Sequence, residues 1–194
     1  HREQGIERIM PARRKAMIFA AGLGTRLKPL TDTRPKALVE IAGKPLIEHV
    51  LYKLVSAGFN DIVVNVYHFA DMIEEWGRKI VNEPYYKDKN IRITFSDERD
   101  ELLETGGGIL HASSLLTCNN PEHKFLVHNV DILSNLRLEE LWAYSSESSD
   151  AVLVVSKRKT ARYLIFDDDM KLVGWTNIQT GEVKRSEEHT SELQ

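Results

Sequence analysis

The sequence predicts an α/β fold with a mainly parallel sheet and helices on both faces of that sheet. Apolar runs of strand length alternate with segments whose apolar residues recur at helical spacing, beginning with Ala16 to Ala20, Leu46 to Ala57 and Asp61 to Val66. Parallel strands need long crossover connections, which helices usually supply, so this alternation favours a sheet enclosed by two helical layers. The length of 194 residues and the apolar content of 42% suit one domain with a sizeable core.

The individual elements can be assigned in chain order. The helix over Leu46 to Ala57 ends at Gly58, a residue typical of helix C-termini. A helix over Asp71 to Val81 is predicted to begin with Asp71 as its N-cap. Further helices are predicted over Gly106 to Leu116 and over Leu136 to Tyr144. Further strands are predicted over Ile91 to Phe95, Lys124 to Val130 and Ala151 to Val155, the last of them buried.

The C-terminal part of the chain leaves this alternation. Arg162 to Phe166 and Lys171 to Thr176 flank the polar run Asp167 to Asp169. Two short strand-like segments around a polar turn predict a β-hairpin.

The composition excludes several classes of protein. A formal net charge of −3 argues against a nucleic-acid groove, and no apolar run approaches the length of a membrane span. The single cysteine, Cys118, cannot form an intramolecular disulfide, and the segment His1 to Lys15 lacks the apolar core of a secretory signal. We therefore expect a cytoplasmic protein without nucleic-acid or membrane partners, whose oligomeric state the sequence leaves open.

Both ends of the chain have unusual sequences. Residues 1–14 are expected to be a non-native or disordered extension, with Met10 a plausible start, and residues 185–194 resemble the translation of a DNA-sequencing adapter. We therefore expect one domain over residues 15–184 that is incomplete at its C-terminal end.

The most informative segment is a glycine-containing loop that follows the first predicted strand. Residues 20–30 read AAGLGTRLKPL, and residues 34–38 read RPKAL. Glycines let backbone N–H groups approach an anion closely, and Arg26 and Lys36 add positive charge for phosphate oxygens. This combination indicates a nucleoside triphosphate site at the carboxyl end of a strand, where ligands bind in such sheets.

Two better-known glycine loops do not fit this sequence. A dinucleotide fingerprint needs a third glycine where this chain has Leu27, and it needs an acid after the second strand, where Tyr67 and His68 stand. A P-loop needs serine or threonine after Gly43-Lys44, but Pro45 follows.

Gly22 to Ile47 resembles the signature of the sugar nucleotidyltransferase family, roughly G-x-G-T-R-L-x-P-L-T, then P-K-x-L, then GKP-[LM]-I. The resemblance implies a three-layer α/β/α Rossmann-like nucleotide-diphospho-sugar transferase fold. It also implies Mg²⁺ as cofactor and, as substrates, a nucleoside triphosphate and a sugar 1-phosphate that form a nucleotide-sugar and pyrophosphate.

The resemblance also implies roles for particular residues. Arg26 and Lys36 are expected to be catalytic, acting on the triphosphate, and Asp131 is expected to bind the metal. Nucleotide binding is expected from Ala20, Ala21, Gly22, Gly24, Thr25, Gly106 and Gly107. Asn65, His68, Glu104 and Asn129 are expected to face the sugar or the pocket, with a structural role as an equal alternative for Asn65 and His68.

The chain departs from the family pattern at two places. Val130 replaces a glycine before Asp131, and Asn177-Ile178-Gln179 stands where many members have Glu-Lys-Pro, so the lysine for the sugar phosphate is absent. A second metal-binding aspartate is expected further downstream than this chain extends. UTP with N-acetylmuramate 1-phosphate is the favoured substrate pair, and a mannose-1-phosphate guanylyltransferase is the alternative. A non-catalytic nucleotide-binding or regulatory protein of the same fold is the alternative class.

Overall fold

The computed structural model describes residues 13–118, 123–145 and 150–185. These residues form two compact units, one up to residue 145 and one from residue 150. Most of the N-terminal extension and of the C-terminal tail expected from the sequence lies outside the described residues. Arg14 and Arg185, which belong to those two segments, are each part of a strand.

The first unit contains six strands. They are β1 (Arg14–Phe19), β2 (Glu40–Ile41), β3 (Lys44–Pro45), β4 (Phe59–Val66), β5 (Arg92–Asp97) and β6 (Phe125–Asn129). β5, β4, β1 and β6 form a parallel sheet in that order, and β2 pairs with β3 as a small antiparallel ribbon. The order places β1 at the centre of the sheet, so the loop that follows it emerges between the ends of β4 and β6.

Helices connect these strands. They are α1 (Leu46–Ser56), α2 (Ala70–Ile80), α3 (Pro84–Asp88), α4 (Thr105–His111), α5 (Ser113–Thr117) and α6 (Leu138–Tyr144). Short 3₁₀ turns lie over Thr25–Leu27 and Lys36–Leu38. No helix within the described residues is long and apolar enough to cross a membrane.

Each face of the parallel sheet carries its own apolar core. Ala16 and Ile18 of β1 pack in the larger cluster with residues of α1 such as Leu51. Met17, which points to the opposite face because strand side chains alternate, packs with Leu116 of α5. Helices therefore cover both faces, which confirms the predicted three-layer α/β/α fold with a parallel sheet.

Two helix predictions were wrong in detail. The single helix predicted over Gly106 to Leu116 is divided into α4 and α5 at Ala112, whose carbonyl accepts hydrogen bonds from the N–H groups of both Leu115 and Leu116. Apolar spacing does not reveal this break, since it continues through both helices. Phe69, not Asp71, is the N-cap of α2, and the Asp71 carboxylate pairs with Arg99 at 3.2 Å instead.

The second unit contains an antiparallel sheet of β7 (Arg162–Phe166), β8 (Leu172–Asn177) and β9 (Glu182–Arg185), in that order. The predicted hairpin is confirmed: Asp167 Oδ1 accepts hydrogen bonds from the N–H groups of Asp169 at 3.0 Å and Lys171 at 2.8 Å, which closes the turn between β7 and β8.

The strand predicted over Ala151 to Val155 was wrong. These residues have no strand pairing within the described part of the chain, and Leu153, Val154 and Val155 are 51%, 58% and 48% exposed. An apolar run becomes a strand only where a neighbouring strand bonds its N–H and C=O groups, and the run itself does not specify that neighbour.

Candidate active site

The glycine loop leaves β1 at the carboxyl edge of the sheet. Gly24 has φ +63°, and a Cβ there would lie 2.8 Å from Lys36 Cβ and 2.9 Å from Thr31 Cγ2. Its carbonyl accepts hydrogen bonds from the N–H of Leu27 at 2.8 Å and from Thr31 Oγ1 at 3.0 Å. Only glycine satisfies both the backbone angle and this close packing, so Gly24 fixes the turn that carries Arg26.

Asn65 lies directly beneath the start of this loop. Its side chain is buried, and its Oδ1 accepts hydrogen bonds from the N–H groups of Ala20 at 2.7 Å and Ala21 at 3.3 Å. Its Nδ2 donates to Glu98 Oε1 at 2.9 Å. The side-chain amide of Asn65 and the N–H groups of Ala20 and Ala21 thus already have protein partners. The ligand contacts predicted for these three residues stay predictions.

The next residues of the loop keep their donors available. Within the described residues, the N–H groups of Gly22, Leu23 and Gly24 have no protein acceptor, and Gly22 and Leu23 are exposed. Backbone N–H groups without a protein acceptor are available to donate to an anion. The geometry therefore favours Gly22 to Gly24 as the phosphate-facing part of the loop.

An ion pair joins this loop to the end of β6. Lys36 begins a 3₁₀ turn between the buried residues Pro35 and Ala37, and its Nζ donates to Asp131 Oδ2. The Asp131 side chain is 41% exposed, so the pair is open to solvent on one side. Arg26 is exposed and forms no ion pair in the part of the chain that the structure describes.

The position of Asp131 follows from the strand before it. Val130 is buried in the larger core, and its N–H donates to the Phe19 carbonyl at 3.2 Å, which continues the pairing of β6 with β1. Beyond Asp131, Lys53 of α1 donates to both Ser134 O and Ser134 Oγ at 2.7 Å. The valine that replaces the family's glycine is thus part of the core, and Asp131 is held between two anchored residues.

Nearby positive charge keeps the Asp131 carboxyl ionised. Partial burial opposes ionisation, but the hydrogen bond from Lys36 and the charges of Lys36 and Arg26 outweigh it and lower the pKa of Asp131 below its ordinary value. Arg26 therefore lies close enough to act on the same carboxylate, which places Arg26, Lys36 and Asp131 in one electrostatic cluster.

A second glycine segment, Gly106 to Gly108 in α4, borders the same region. Gly108 is buried, and a Cβ there would lie 3.1 Å from both Glu98 Oε1 and Phe19 Cε1. Gly106 is exposed, and a Cβ would meet nothing within 4 Å. Packing thus requires a glycine at Gly108, whereas the space around Gly106 is open, and the nucleotide contacts predicted for Gly106 and Gly107 stay predictions.

The remaining candidate residues are exposed. Thr25, His68, Glu104 and Asn129 are exposed, and Gly107 is partly buried against Leu103. No hydrogen bond or ion pair between described residues links the side chain of His68 or Glu104 to the Arg26–Lys36–Asp131 cluster. Their roles stay predictions.

Sequence reasoning missed Glu98. This residue follows β5, is 2% exposed, and holds the amide of Asn65. The signal that could have identified it is its position: a carboxylate directly after a strand end lies at the ligand-binding edge of a parallel sheet.

The donor set of the site fits a divalent cation. Asp131 offers one accessible carboxylate that already faces a cation, the Lys36 ammonium. Mg²⁺ usually takes one or two carboxylates together with substrate phosphates and water, so a single carboxylate beside a phosphate loop is compatible with it. No group of three or more His, Cys, Asp or Glu residues suited to a metal occurs among the described residues.

Comparison with known proteins finds relatives of this chain. The chain is 53% identical over 116 residues to an N-acetylmuramate alpha-1-phosphate uridylyltransferase of Caulobacter vibrioides, covering 60% of this chain and 45% of that protein. It is 37% identical over 144 residues to a mannose-1-phosphate guanyltransferase of Schizosaccharomyces pombe, covering 74% of this chain and 38% of that protein. The chain thus spans less than half the length of these curated relatives.

A solved structure and a family profile extend the comparison. The structure of HddC from Yersinia pseudotuberculosis, in complex with GMP-PN, superposes with a TM-score of 0.62 at 26% identity, covering 89% of this chain and 71% of that one. The profile of the nucleotidyl transferase family matches residues 15–167. This match includes the glycine loop, Gly106 to Gly108 and Asp131. The chain therefore belongs to the nucleotidyl transferase family.

Proposed function

We propose that this chain is the nucleotide-binding part of an enzyme that transfers a nucleotidyl group from a nucleoside triphosphate to a sugar 1-phosphate. One observation carries the proposal. The N–H groups of Gly22 to Gly24 without a protein acceptor and the guanidinium of Arg26 lie on the loop after β1, which the Lys36–Asp131 pair joins to the end of β6. Such a cluster suits a polyanion that arrives with its own cation.

In the proposed reaction an oxygen of the sugar phosphate attacks the α-phosphorus of the nucleotide. The bond from that phosphorus to the oxygen bridging to the β-phosphate breaks, and pyrophosphate leaves with the bonding electron pair. Phosphoryl transfer of this kind depends on positioning and on neutralising charge, and it needs no protein nucleophile. Arg26 and Lys36 are proposed to bind the triphosphate oxygens and the charge that develops on them.

A divalent cation, with Mg²⁺ the predicted ion, would be held by Asp131 together with phosphate oxygens of the nucleotide. When bound, it supplies charge neutralisation at the triphosphate. Lys36 now occupies the Asp131 carboxylate, so the proposal requires this ammonium to turn toward phosphate when nucleotide and cation bind.

UTP and N-acetylmuramate 1-phosphate are the substrates we favour. The support is the higher identity to a uridylyltransferase, 53%, than to a guanyltransferase, 37%. GTP with mannose 1-phosphate is the alternative pair, and a nucleotide-binding protein without catalysis is the alternative class.

The experiment combines nucleotide titration with an assay of pyrophosphate release. The chain is titrated calorimetrically with each nucleoside triphosphate in Mg²⁺, and release is measured with N-acetylmuramate 1-phosphate, mannose 1-phosphate and other sugar 1-phosphates. Selective binding of UTP and release with N-acetylmuramate 1-phosphate would support the favoured reaction, and release only with GTP and mannose 1-phosphate would support the alternative pair. Nucleotide binding without release from any pair would favour the non-catalytic class, and a folded chain that binds no nucleotide would overturn the proposal.

A further inference from the structure

Two buried side chains connect the segments that form the site. Asn65 is the penultimate residue of β4 and lies beneath the glycine loop, and Glu98 follows β5; both are only 2% exposed. The Glu98 N–H donates to the Val66 carbonyl at 2.8 Å, which extends the β4–β5 pairing by one residue and fixes the Glu98 backbone. The acid is therefore built into the sheet and does not belong to a loose connection.

The amide of Asn65 can face only one way in this arrangement. On one side stand two N–H donors, those of Ala20 and Ala21, at 2.7 Å and 3.3 Å from Oδ1. On the other side stands a carboxylate oxygen, Glu98 Oε1, which accepts from Nδ2 at 2.9 Å. A backbone N–H can only donate, so the two loop N–H groups require Oδ1 on their side, and Nδ2 then needs the acceptor that the Glu98 carboxyl oxygen supplies.

The second glycine segment rests on the same pair. A Cβ at Gly108 would lie 3.1 Å from Glu98 Oε1 and 3.5 Å from Asn65 Nδ2, so α4 approaches the pair as closely as a glycine allows. One buried hydrogen-bonded unit therefore supports both glycine-containing segments.

We infer that Glu98 and Asn65 are positioning residues: Glu98 holds the Asn65 amide in its orientation, and Asn65 in turn holds the start of the glycine loop in its phosphate-accepting shape. That the loop accepts a phosphate rests on the proposed function. That Glu98 and Asn65 determine the shape of the loop does not depend on it. By holding the N–H groups of Ala20 and Ala21, the pair leaves those of Gly22 to Gly24 as the donors that face a ligand.

The pair permits a reciprocal exchange as a test. In Asn65→Asp, two carboxylates face one another where an amide and an acid stood. In the double variant Asn65→Asp with Glu98→Gln, the glutamine amide donates to the new aspartate, so the pair again contains one acid and one amide with matching donors and acceptors. Glu98→Gln alone keeps an acceptor for Asn65 Nδ2, and it exchanges one unpaired buried atom, Glu98 Oε2, for another.

Amide hydrogen exchange of residues 20–25 is measured without nucleotide, beside the dissociation constant of the Mg²⁺ complex of UTP and the global unfolding midpoint. We expect Glu98→Ala and Asn65→Asp to accelerate exchange of Ala20 and Ala21, and to weaken nucleotide binding, each about tenfold. Glu98→Gln and the double variant should lie close to the wild-type protein. Glu101→Gln, the same change at an exposed residue three positions on, is the matched control.

The inference would be supported if the double variant regained both the slow exchange at residues 20–25 and the nucleotide affinity of the wild type. A change in global stability alone would not restore the exchange rates of this one loop. Unchanged exchange at residues 20–25 in Glu98→Ala, or a double variant no closer to wild type than Asn65→Asp, would overturn it. Wild-type protein that binds no nucleotide would instead overturn the proposed function, and the exchange measurement would still decide whether the pair shapes the loop.

Discussion

The two ends of the parallel sheet handle their charged groups in opposite ways. At the amino-terminal edge, Lys15, Asp61 and Arg92 lie in register across β1, β4 and β5. Asp61 receives two hydrogen bonds from Arg92, at 2.6 Å and 3.1 Å, and lies 3.4 Å from Lys15 Nζ. The side chains of Lys15 and Asp61 are 3% and 4% exposed, so their charges are neutralised inside the protein.

At the carboxyl edge of the same sheet, the charges remain accessible. Arg26 is exposed without an ion pair among the described residues, and the Lys36–Asp131 pair faces solvent. The buried polar pair at this edge, Asn65 and Glu98, holds backbone N–H groups of the loop.

The difference separates polar residues that are used within the fold from those proposed to bind a ligand. Charges that neutralise one another inside the fold leave nothing for a ligand, and removing one partner leaves the other charge buried and unpaired, which is costly. Charges left open at the carboxyl edge attract an anion from outside. Substitutions at the two edges should therefore have opposite signatures: loss of stability at one, and loss of activity with stability retained at the other.

The largest expected effect is at the carboxyl edge. Arg26→Ala should lower the rate of nucleotidyl transfer about a thousandfold, because it removes a positive charge proposed to act on the triphosphate. Its unfolding midpoint should remain that of the wild type, since the side chain is exposed. Steady-state rates and denaturant unfolding test this, with Lys28→Ala on the same loop as control. Near-normal turnover would contradict the role of Arg26.

At the amino-terminal edge the effect should fall on stability. Asp61→Asn should lower the free energy of unfolding by about 3 kcal/mol, because the buried Lys15 loses its counter-charge. Denaturant unfolding measures this, and Asp32→Asn, in an exposed pair with Lys28, should change little. A loss of nucleotide affinity without loss of stability in Asp61→Asn would remove the distinction between the two edges.

The two glycines of α4 provide a matched pair within the carboxyl edge. Gly108→Ala should destabilise the fold by about 2 kcal/mol, since its Cβ would press on Glu98 and Phe19. Gly106→Ala should change stability by no more than about 0.5 kcal/mol, because its surroundings are open. Thermal or denaturant unfolding compares the two. Equal losses would mean that the packing at Gly108 is not as close as described.

Asp131→Asn should weaken the dependence on a divalent cation. We expect the Mg²⁺ concentration for half-maximal transfer to rise at least about tenfold, because an amide is a weaker ligand than a carboxylate. The measurement is the transfer rate against Mg²⁺ concentration. Asp97→Asn, an exposed aspartate at the carboxyl end of β5, is the control. An unchanged Mg²⁺ curve would place the cation at another residue.

The smallest expected effect is on the pH dependence of stability. Burial opposes ionisation of Asp61, but the hydrogen bonds from Arg92 and the charge of Lys15 outweigh it and lower the pKa of that carboxyl. Its stabilisation is therefore complete above the ordinary aspartate pKa of about 4 and is lost as the pH falls through the lower folded value. Unfolding midpoints between pH 7 and pH 3 should decline less steeply in Asp61→Asn. Equal slopes would contradict this contribution.

Much of the fold could be predicted from periodicity. β1, β4, β5, β6 and α1 lie within a few residues of their predicted positions, and the hairpin at Asp167 is confirmed. These elements have strong local patterns: apolar runs, helical spacing or a polar turn. The predictions failed at Ala112, Asp71 and Ala151 to Val155, where the outcome depends on what lies beside the segment in space.

The candidate site divides in the same way. Gly24, Arg26, Lys36 and Asp131 could be proposed from sequence because they occupy fixed places in a motif or directly after a strand. Glu98 also follows a strand directly and could have been noticed for that, but its contact with Asn65, 33 residues away in the chain, could not be predicted from the sequence.

The sequence by itself determined the layered α/β fold and the place of the glycine loop, since local spacing encodes both, and a family resemblance supplied the residues predicted to bind phosphate and metal. The tertiary structure decided which polar groups are already used: Lys15 and Asp61 neutralise one another, Asn65 holds the loop, and Arg26 stays open. The physical reason is that hydrogen bonds and ion pairs form between residues distant in the chain, so their partners become known only when the strands are set side by side.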